Sequence, residues 1–370
     1  MKIAFVHNQC LPYRHFLFTD LAKNFDIDFY VFNQKADDIP ADCKTILLKG
    51  YRIPKFSDYW VLPHLKSKLR KSKYDLIIGN DLGAYNTAVA FKFAFRYKIP
   101  FIPWIEEWDW ITHPRRKLRI KFENSLLNYS SEIIVPGVQH KNYLMSREVP
   151  ERKIVLIQNC LEEKPKNYPN SHALAQEISQ IKKNHTIVCS IGRHVPFKGH
   201  DQLIRAQITL EKMMLETAPF LIIAGNGDLL SKNKRLANSL GIKKIKFIER
   251  FINNTEKNIL YSLSDIFVLP SKRTRAFEAW GLVCNEALYF EKPMIISDAV
   301  GAAGEIVRHK HNGFIYNNYN YKELANYIKI LCLDHTLRET FQKNSQFLYK
   351  NYLPEVMKEK FRNLLSKYEI

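Results

Sequence analysis

Thr186 Ile187 Val188 Cys189 Ser190 Ile191 Gly192 Arg193 His194 Val195 Pro196 Phe197 Lys198 Gly199 His200 opens as a short apolar, β-branched run. It then passes through a turn with glycine, proline and two cations. A strand apolar on both faces is buried on both, which a parallel sheet covered by helices on either side requires. Parallel neighbours also need crossover segments, so strand and helix must alternate along the chain. That rhythm continues downstream: Phe220 to Ala224, Ile245 to Ile248, Ile266 to Leu269 and Met294 to Ser297 read as strands, with helices between them such as Leu229 to Leu240.

Upstream, Ile3 to Val6, Ile27 to Phe32, Leu76 to Ile78, Phe101 to Ile105, Ile133 to Val135 and Ile154 to Ile157 repeat the pattern. A polar stretch from Glu162 to Asn184, with Pro165, Asn167, Pro169 and Asn170, separates the two series and leads into a short helix. The expectation is α/β, with two Rossmann-like domains over 1–165 and 185–345, joined by a linker at 166–184. At 370 residues the chain suits two such units of the usual ~100 to 200 residues. Ligands of open parallel sheets bind beyond the carboxyl ends of the strands, so two facing domains would hold two substrates in one cleft.

Hydrophobic residues make up 46% and charged residues 25%, which predicts a chain folded throughout rather than disordered. Met1 to Val6 runs directly into a core strand, without the apolar region and cleavage site of a signal peptide. No apolar run approaches the ~20 residues that span a bilayer, so a cytoplasmic protein, free or attached to a membrane surface, is expected. Cys10, Cys43, Cys160, Cys189, Cys284 and Cys332 are scattered without metal spacing and read as reduced thiols.

The net charge of +19 predicts attraction to something anionic: nucleotide phosphates, nucleic acid or an anionic membrane face. The cations cluster at Lys66, Lys68, Arg70, Lys71 and Lys73, and again at Arg115, Arg116, Lys117, Arg119 and Lys121. Leu65 with Leu69, and Leu118 with Phe122, are four apart, so each cluster reads either as a basic amphipathic helix on a surface or as a solvated helix face.

Gly192, Arg193 and Lys198 lie on a strand-to-helix loop, where an Arg and a Lys at fixed positions can neutralise a departing diphosphate without a metal. A second stretch supplies the partner: Phe277 Glu278 Ala279 Trp280 Gly281 Leu282 Val283 Cys284 Asn285 Glu286 Ala287 Leu288. The amides of Gly281, Leu282 and Val283 fall at a helix N-terminus, where N–H groups and the helix dipole favour phosphate. Glu286, inside the helix, can accept hydrogen bonds from a ribose diol, and Glu278 from a sugar's own hydroxyls. Helix-start acids complementing the dipole would explain one glutamate alone, but not the joint pattern.

These stretches resemble glycosyltransferase family 4, retaining enzymes of the GT-B fold. The resemblance extends to Ala224 Gly225 Asn226 Gly227, Lys292 Pro293, Gly301 to Val307 and Asn312 Gly313 Phe314, with a weaker match at Ile133 to Val138 and Lys153 to Asn159. It implies that the second domain binds a nucleotide sugar and the first an acceptor, and that a C-terminal helix over 346–370 crosses back onto the first domain. It also implies that Arg193 and Lys198 bind the diphosphate beside Gly192 and Gly225, Glu286 the ribose and Glu278 the transferred sugar. Backbone near Phe251 and Ile252 would meet the base. Glu278, Arg193 and Lys198 would carry the catalysis, with retention of configuration and the leaving phosphate oxygen taking the acceptor's proton. The donor is expected to be a UDP-sugar carrying a hexose or N-acetylhexosamine. A glycan or lipid-linked saccharide is the expected acceptor, in bacterial surface polysaccharide synthesis such as lipopolysaccharide or capsule.

One departure is plain: the family's glycine-rich loop after the first strand is replaced by His7 Asn8 Gln9 Cys10 Leu11 Pro12 Tyr13 Arg14. Arg14 either takes over some of that loop's contacts or is a surface arginine beside a turn. On the acceptor side His7, Asp81, Trp104, Glu106, Glu107 and His113 are candidates, because aromatic faces suit sugar C–H surfaces and carboxylates accept hydroxyl protons. Each aromatic could equally be core. Asp26 and Asp28 form an Asp-x-Asp far from the phosphate loop and read as structural, so no metal or cofactor is expected. Two other readings stay open: a nucleotide-sugar epimerase of the same fold, and a basic nucleic-acid-binding module supported by charge alone.

Overall fold

The structure is a computed structural model describing all residues except 33, 36–37, 53–59, 110–118, 163–165, 275 and 370, with 52 and 60 described in their backbone only. The chain forms two compact units, one of Met1–Glu163 with Tyr352–Ile370 and one of Lys164–Asn351.

In the first unit β1 (Lys2–Val6), β2 (Asp26–Phe32), β3 (Thr45–Leu48), β6 (Leu76–Gly79) and β7 (Phe101–Pro103) form a parallel sheet in the order β3-β2-β1-β6-β7. A small antiparallel hairpin, β4 (Tyr51–Arg52) with β5 (Trp60–Val61), stands apart from it. Trp104 bridges to Ile134, which extends the ladder to the parallel pair β8 (Ile133–Val135) and β9 (Ile154–Leu156). Side-chain alternation sorts the strands into two cores. Ala4, Val6, Tyr30, Ile77 and Phe101 face helices Leu65–Leu69, Tyr85–Tyr97 and Ile120–Tyr129. Ile3, Phe5, Phe29, Ile78 and Ile102 face helices His15–Asn24 and Pro354–Ser366. Strand β3 went unread in the sequence because it is an edge strand, with Leu47 42% exposed and no two-sided apolar run.

The second unit is a six-stranded parallel sheet. It comprises β10 (Ile187–Ile191), β11 (Phe220–Ala224), β12 (Ile245–Ile248), β13 (Ile266–Leu269), β14 (Met294–Ser297) and β15 (Gly313–Tyr316), in the order β12-β11-β10-β13-β14-β15. In both sheets the direction of winding reverses beside the first strand, between β1 and β6 and between β10 and β13. Loops part there and leave a crevice at the strands' carboxyl ends. Gly313 pairs with Met294 in β15, where an added Cβ would lie 2.2 Å from the Met294 carbonyl oxygen. Helix His335–Tyr349 runs continuously through position 345, so the chain changes units at Tyr352.

Leu65 and Leu69 are fully buried, so the first basic cluster offers solvent its cations and no apolar stripe. In the second cluster, residues 115–118 lie outside the described residues, while Arg119 donates to the carbonyls of Gly83 and Leu82. Asp28 is buried, accepts from the Tyr74 hydroxyl at 2.6 Å and pairs with Lys44 at 2.6 Å. All six cysteines are free thiols. Among the described residues no helix is long and apolar enough to cross a membrane.

Candidate active site

At the reversal point of the second sheet, the loop after β10 is pinned by close backbone approaches. His194 N donates to Asn226 O and Leu229 N to His194 O, both at 2.8 Å. Gly225 (φ 142°) lets the neighbouring turn pass against this loop, and a Cβ there would sit 2.1 Å from Gly192 O. Gly199 (φ 65°) faces Pro270 O, which a Cβ would meet at 1.8 Å. No L side chain fits either position, so these glycines set the distance between the loops after β10, β11 and β13. Beneath the loop His194 Nδ1 accepts from Asn233 Nδ2 at 2.9 Å and lies 3.3 Å from His200 Nδ1.

The loop brings Lys198 to Glu278. The lysine is 8% exposed, and its Nζ lies 2.5 Å from Glu278 Oε2, which also accepts from Ser271 Oγ at 3.1 Å. Glu278 is held from behind, where its carbonyl accepts from Gly301 N at 3.0 Å. Eight residues on, Glu286 projects from helix Leu282–Tyr289. Its Oε1 takes Lys257 Nζ at 2.7 Å and its Oε2 the Tyr261 hydroxyl at 2.7 Å. Burial, with the Glu286 charge beside it, pushes Tyr261 well above the ordinary phenol value, so it stays a neutral donor. Both glutamates are thus paired with lysines, and a third pair joins Lys272, on the loop after β13, to Asp201 in the first turn of helix His200–Met214 at 2.8 Å. Arg193 is exposed and makes no ion pair among the described residues. Gly281 (φ 95°) opens the helix, and Leu282 and Val283 form its first turn. Two carboxylates, a helix N-terminus and two cations can bind hydroxyls and phosphate oxygens together.

In the first unit His7 follows β1, Asp81 follows β6, and Trp104 to Glu107 follow β7. Arg14, 4% exposed in the short turn Pro12–Arg14, links them. Its Nη1 donates to His7 Nε2 at 2.7 Å and its Nη2 to Glu106 Oε1 at 2.5 Å, with the guanidinium carbon 4.3 Å from the Trp104 ring centroid. Because arginine only donates, Nε2 of His7 is the acceptor; Nδ1 carries the proton and faces Gln9 O at 3.0 Å. Burial, then Arg14, brings the His7 pKa down to about 3. Burial opposes charge on Glu106, but Arg14, Asn159 and His7 outweigh it and hold the carboxyl below the ordinary value. Asp81 goes the other way: burial, then Glu107 and Glu106, push it well above. Its Oδ1 accepts from Glu106 N at 2.6 Å.

A sequence profile described as glycosyl transferases group 1 matches residues 173–366, and one described as glycosyltransferase family 4 matches 21–164. The chain belongs to the group 1 glycosyltransferase family. An uncharacterized glycosyltransferase of Methanocaldococcus jannaschii is 29% identical over 46% of this chain and 42% of its own length. A GDP-mannose-dependent phosphatidylinositol monomannoside mannosyltransferase of Mycolicibacterium smegmatis is 31% identical over 36% of this chain and 35% of its own. The chain spans about half the length of the first curated relatives it matches (42% and 53%). Among solved structures, Anabaena HepE in complex with UDP and glucose superposes with a TM-score of 0.73 at 20% identity, covering 99% of this chain and 100% of that one. The fold is the GT-B fold of such transferases.

Within this family framework, Gly192, Arg193, Lys198, Gly225, Glu278, Gly281, Leu282, Val283 and Glu286 all lie at one end of the second sheet. Phe251 is 89% exposed, whereas Ile252 beside it is buried. Lys257, Tyr261, Ser271 and Lys272 were missed; the one signal for the first two is their i,i+4 spacing on helix Asn254–Leu263. On the acceptor side two expectations need correction. Trp104 is 0% exposed, packed edge-on against Phe361 at 5.1 Å, so it offers a sugar no face and instead floors Arg14. Arg14 is buried, with Nη1 on His7 and Nη2 on Glu106, so it is not a surface arginine beside a turn. His113 lies outside the described residues. Asn159, whose Nδ2 donates to Glu106 Oε1 at 2.7 Å, and His140, 3.1 Å from Glu106 O, were also missed.

Proposed function

We propose that this chain is a retaining glycosyltransferase that moves a hexose or N-acetylhexosamine from a UDP-sugar to a glycan or lipid-linked saccharide in surface polysaccharide synthesis. The observation that carries the reading is the pair Glu278 and Glu286 flanking the helix start at Gly281, with Lys198 2.5 Å from the first and Lys257 2.7 Å from the second. Each carboxylate is oriented by its lysine, ready to accept from the ribose and from the transferred sugar.

In the reaction the bond between the anomeric carbon and the β-phosphate oxygen breaks, and the acceptor oxygen bonds the same carbon on the same face. The acceptor's proton passes to the departing phosphate oxygen, and no side-chain nucleophile is needed. Arg193 and Lys198 neutralise the charge that develops, a role in which fixed cations lower a barrier without a metal. Asp81, Glu106 and Glu107 hydrogen-bond the acceptor's hydroxyls, with Arg14 acting through Glu106. The protein works at the cytoplasmic membrane face, where lipid-linked saccharides are presented.

Isothermal titration with UDP and GDP, in EDTA, tests the donor half. Glu286→Ala and Lys198→Ala should each weaken the nucleotide about 10- to 100-fold, the worth of a lost charge-assisted hydrogen bond. Binding of neither nucleotide would refute the reading. GDP, the nucleotide named for the mycobacterial mannosyltransferase, is the competitor; tighter GDP binding would move the donor to that class. The anomeric configuration of the product, read by NMR, tests retention.

A further inference from the structure

Helices Leu65–Leu69, Tyr85–Tyr97 and Ile120–Tyr129 turn their apolar residues into the core on one side of the first sheet, so their outer surfaces form one face of that unit. The face is basic: Arg70 and Lys71 follow the first helix, Lys92, Arg96 and Lys98 line the end of the second, and Lys121 starts the third. The acids nearby are committed. Asp75 accepts from Lys2 N at 2.7 Å, and Glu123 is fully buried, 3.2 Å from Arg147. Amid these cations Phe95 is 58% exposed and Tyr97 47%. Beside Phe95 lies an open hollow of about 610 Å³ whose lining includes Lys121, Asn124 and Tyr129.

We infer that this face docks on an anionic lipid bilayer through its lysines and arginines, with Phe95 and Tyr97, on either flank of the exposed Lys92–Arg96 stripe, entering the headgroup region. The inference rests on the proposal that the acceptor is presented at a membrane, and it names the surface. Exposed aromatics beside cations are the composition that anchors proteins at an anionic interface, each cation near the charged surface adding attraction that salt screens. A nucleic-acid strand suits the face less. The Phe95 ring packs against Tyr129 at 5.2 Å and Tyr97 against Phe93 at 4.6 Å, so their rings are engaged rather than free for stacking on bases. The apolar anchors lie on a helix outside both basic clusters read from the sequence.

Flotation of the full chain with phosphatidylglycerol-containing vesicles, against pure phosphatidylcholine vesicles, tests it. Wild type should bind only the anionic vesicles and lose binding between about 0.1 M and about 0.5 M salt. Phe95→Ser with Tyr97→Ser, and separately Lys92→Glu with Arg96→Glu, should each reduce binding at least about tenfold, with cooperative unfolding and UDP titration retained. Unchanged vesicle binding in both double variants, or wild type that ignores anionic vesicles, overturns the inference. So does an RNA oligonucleotide bound more tightly than the vesicles and lost in the same variants. UDP binding in the same preparation reads the donor site separately: its absence alongside intact, variant-sensitive flotation would sink the transferase reading and leave the docking face standing.

Discussion

Lys257 holds the Glu286 carboxylate from one side while Tyr261 holds it from the other, so ribose would meet an oriented acceptor. Lys257→Ala should raise the donor KM about tenfold with little change in kcat, and Lys257→Arg should restore most of it; a fall in kcat alone would assign the lysine another role. A second prediction concerns acid. Burial brings His194 down to about 4, with Glu249 opposing, and burial, then His194 and Lys198, hold His200 well below the ordinary value of 6.5. Folded, both are neutral; unfolded, they take up protons below 6.5. Their contribution to the second unit is therefore complete above pH 6.5 and is lost as pH falls toward 4. Hydrogen exchange in β10 at pH 7 and pH 5, corrected for intrinsic rates, should show this loss, and His194→Gln should flatten it. At this scale the two glutamates were legible because their positions are tied to a local turn and helix start. Lys257, Lys272 and Asn159 were not, because their partners lie 29, 71 and 53 residues away in sequence.

Helix Asn254–Leu263, which carries Lys257 and Tyr261, begins in a reciprocal cap: Asn253 Oδ1 accepts from Glu256 N at 2.9 Å and Asn253 N donates to Glu256 Oε2 at 3.2 Å. Asn253→Ala should cost about 1 kcal/mol in urea unfolding and weaken nucleotide binding by loosening the Glu286 support. The turns make a sharper contrast. Gly225→Ala places a Cβ 2.1 Å from Gly192 O and should displace the phosphate loop, lowering UDP affinity at least tenfold. Gly241→Ala, at φ 70° with open space around it, should cost only about 1 to 2 kcal/mol of backbone strain and leave UDP binding unchanged. Central strands were legible within a residue or two because two-sided burial forces unbroken apolar runs, as in Ile266–Leu269. The edge strands Thr45–Leu48 and Gly313–Tyr316 were not read as strands. The first has one weak face, and the second begins on a glycine whose need for close approach appears only beside Met294.

The chain closes on its beginning: helix Pro354–Ser366 buries Met357, Phe361, Leu364 and Leu365 against the core that contains Phe18 and Trp104. Four side chains at roughly 1.5 to 3 kcal/mol each rival the whole stability of an ordinary domain, about 5 to 15 kcal/mol. Removing Tyr352–Ile370 should therefore abolish cooperative unfolding of the first unit, seen as loss of the shielded Trp104 fluorescence, while the second unit's melt persists. Two α/β units, the sequence positions of their inner strands, the cation-bearing loop after β10 and the placement of Glu278 and Glu286 about a helix start were determined by the sequence alone. Each rests on short-range physics: burial on two faces, turn chemistry and helix-start electrostatics. The tertiary structure alone decided that Trp104 is core, that Arg14 spends its guanidinium on His7 and Glu106, and which lysine holds which glutamate. It also decided that three helices carrying scattered exposed cations pack their apolar residues into one core. Those outcomes depend on which distant segments the folded backbone brings within a few ångströms, and no local pattern encodes that.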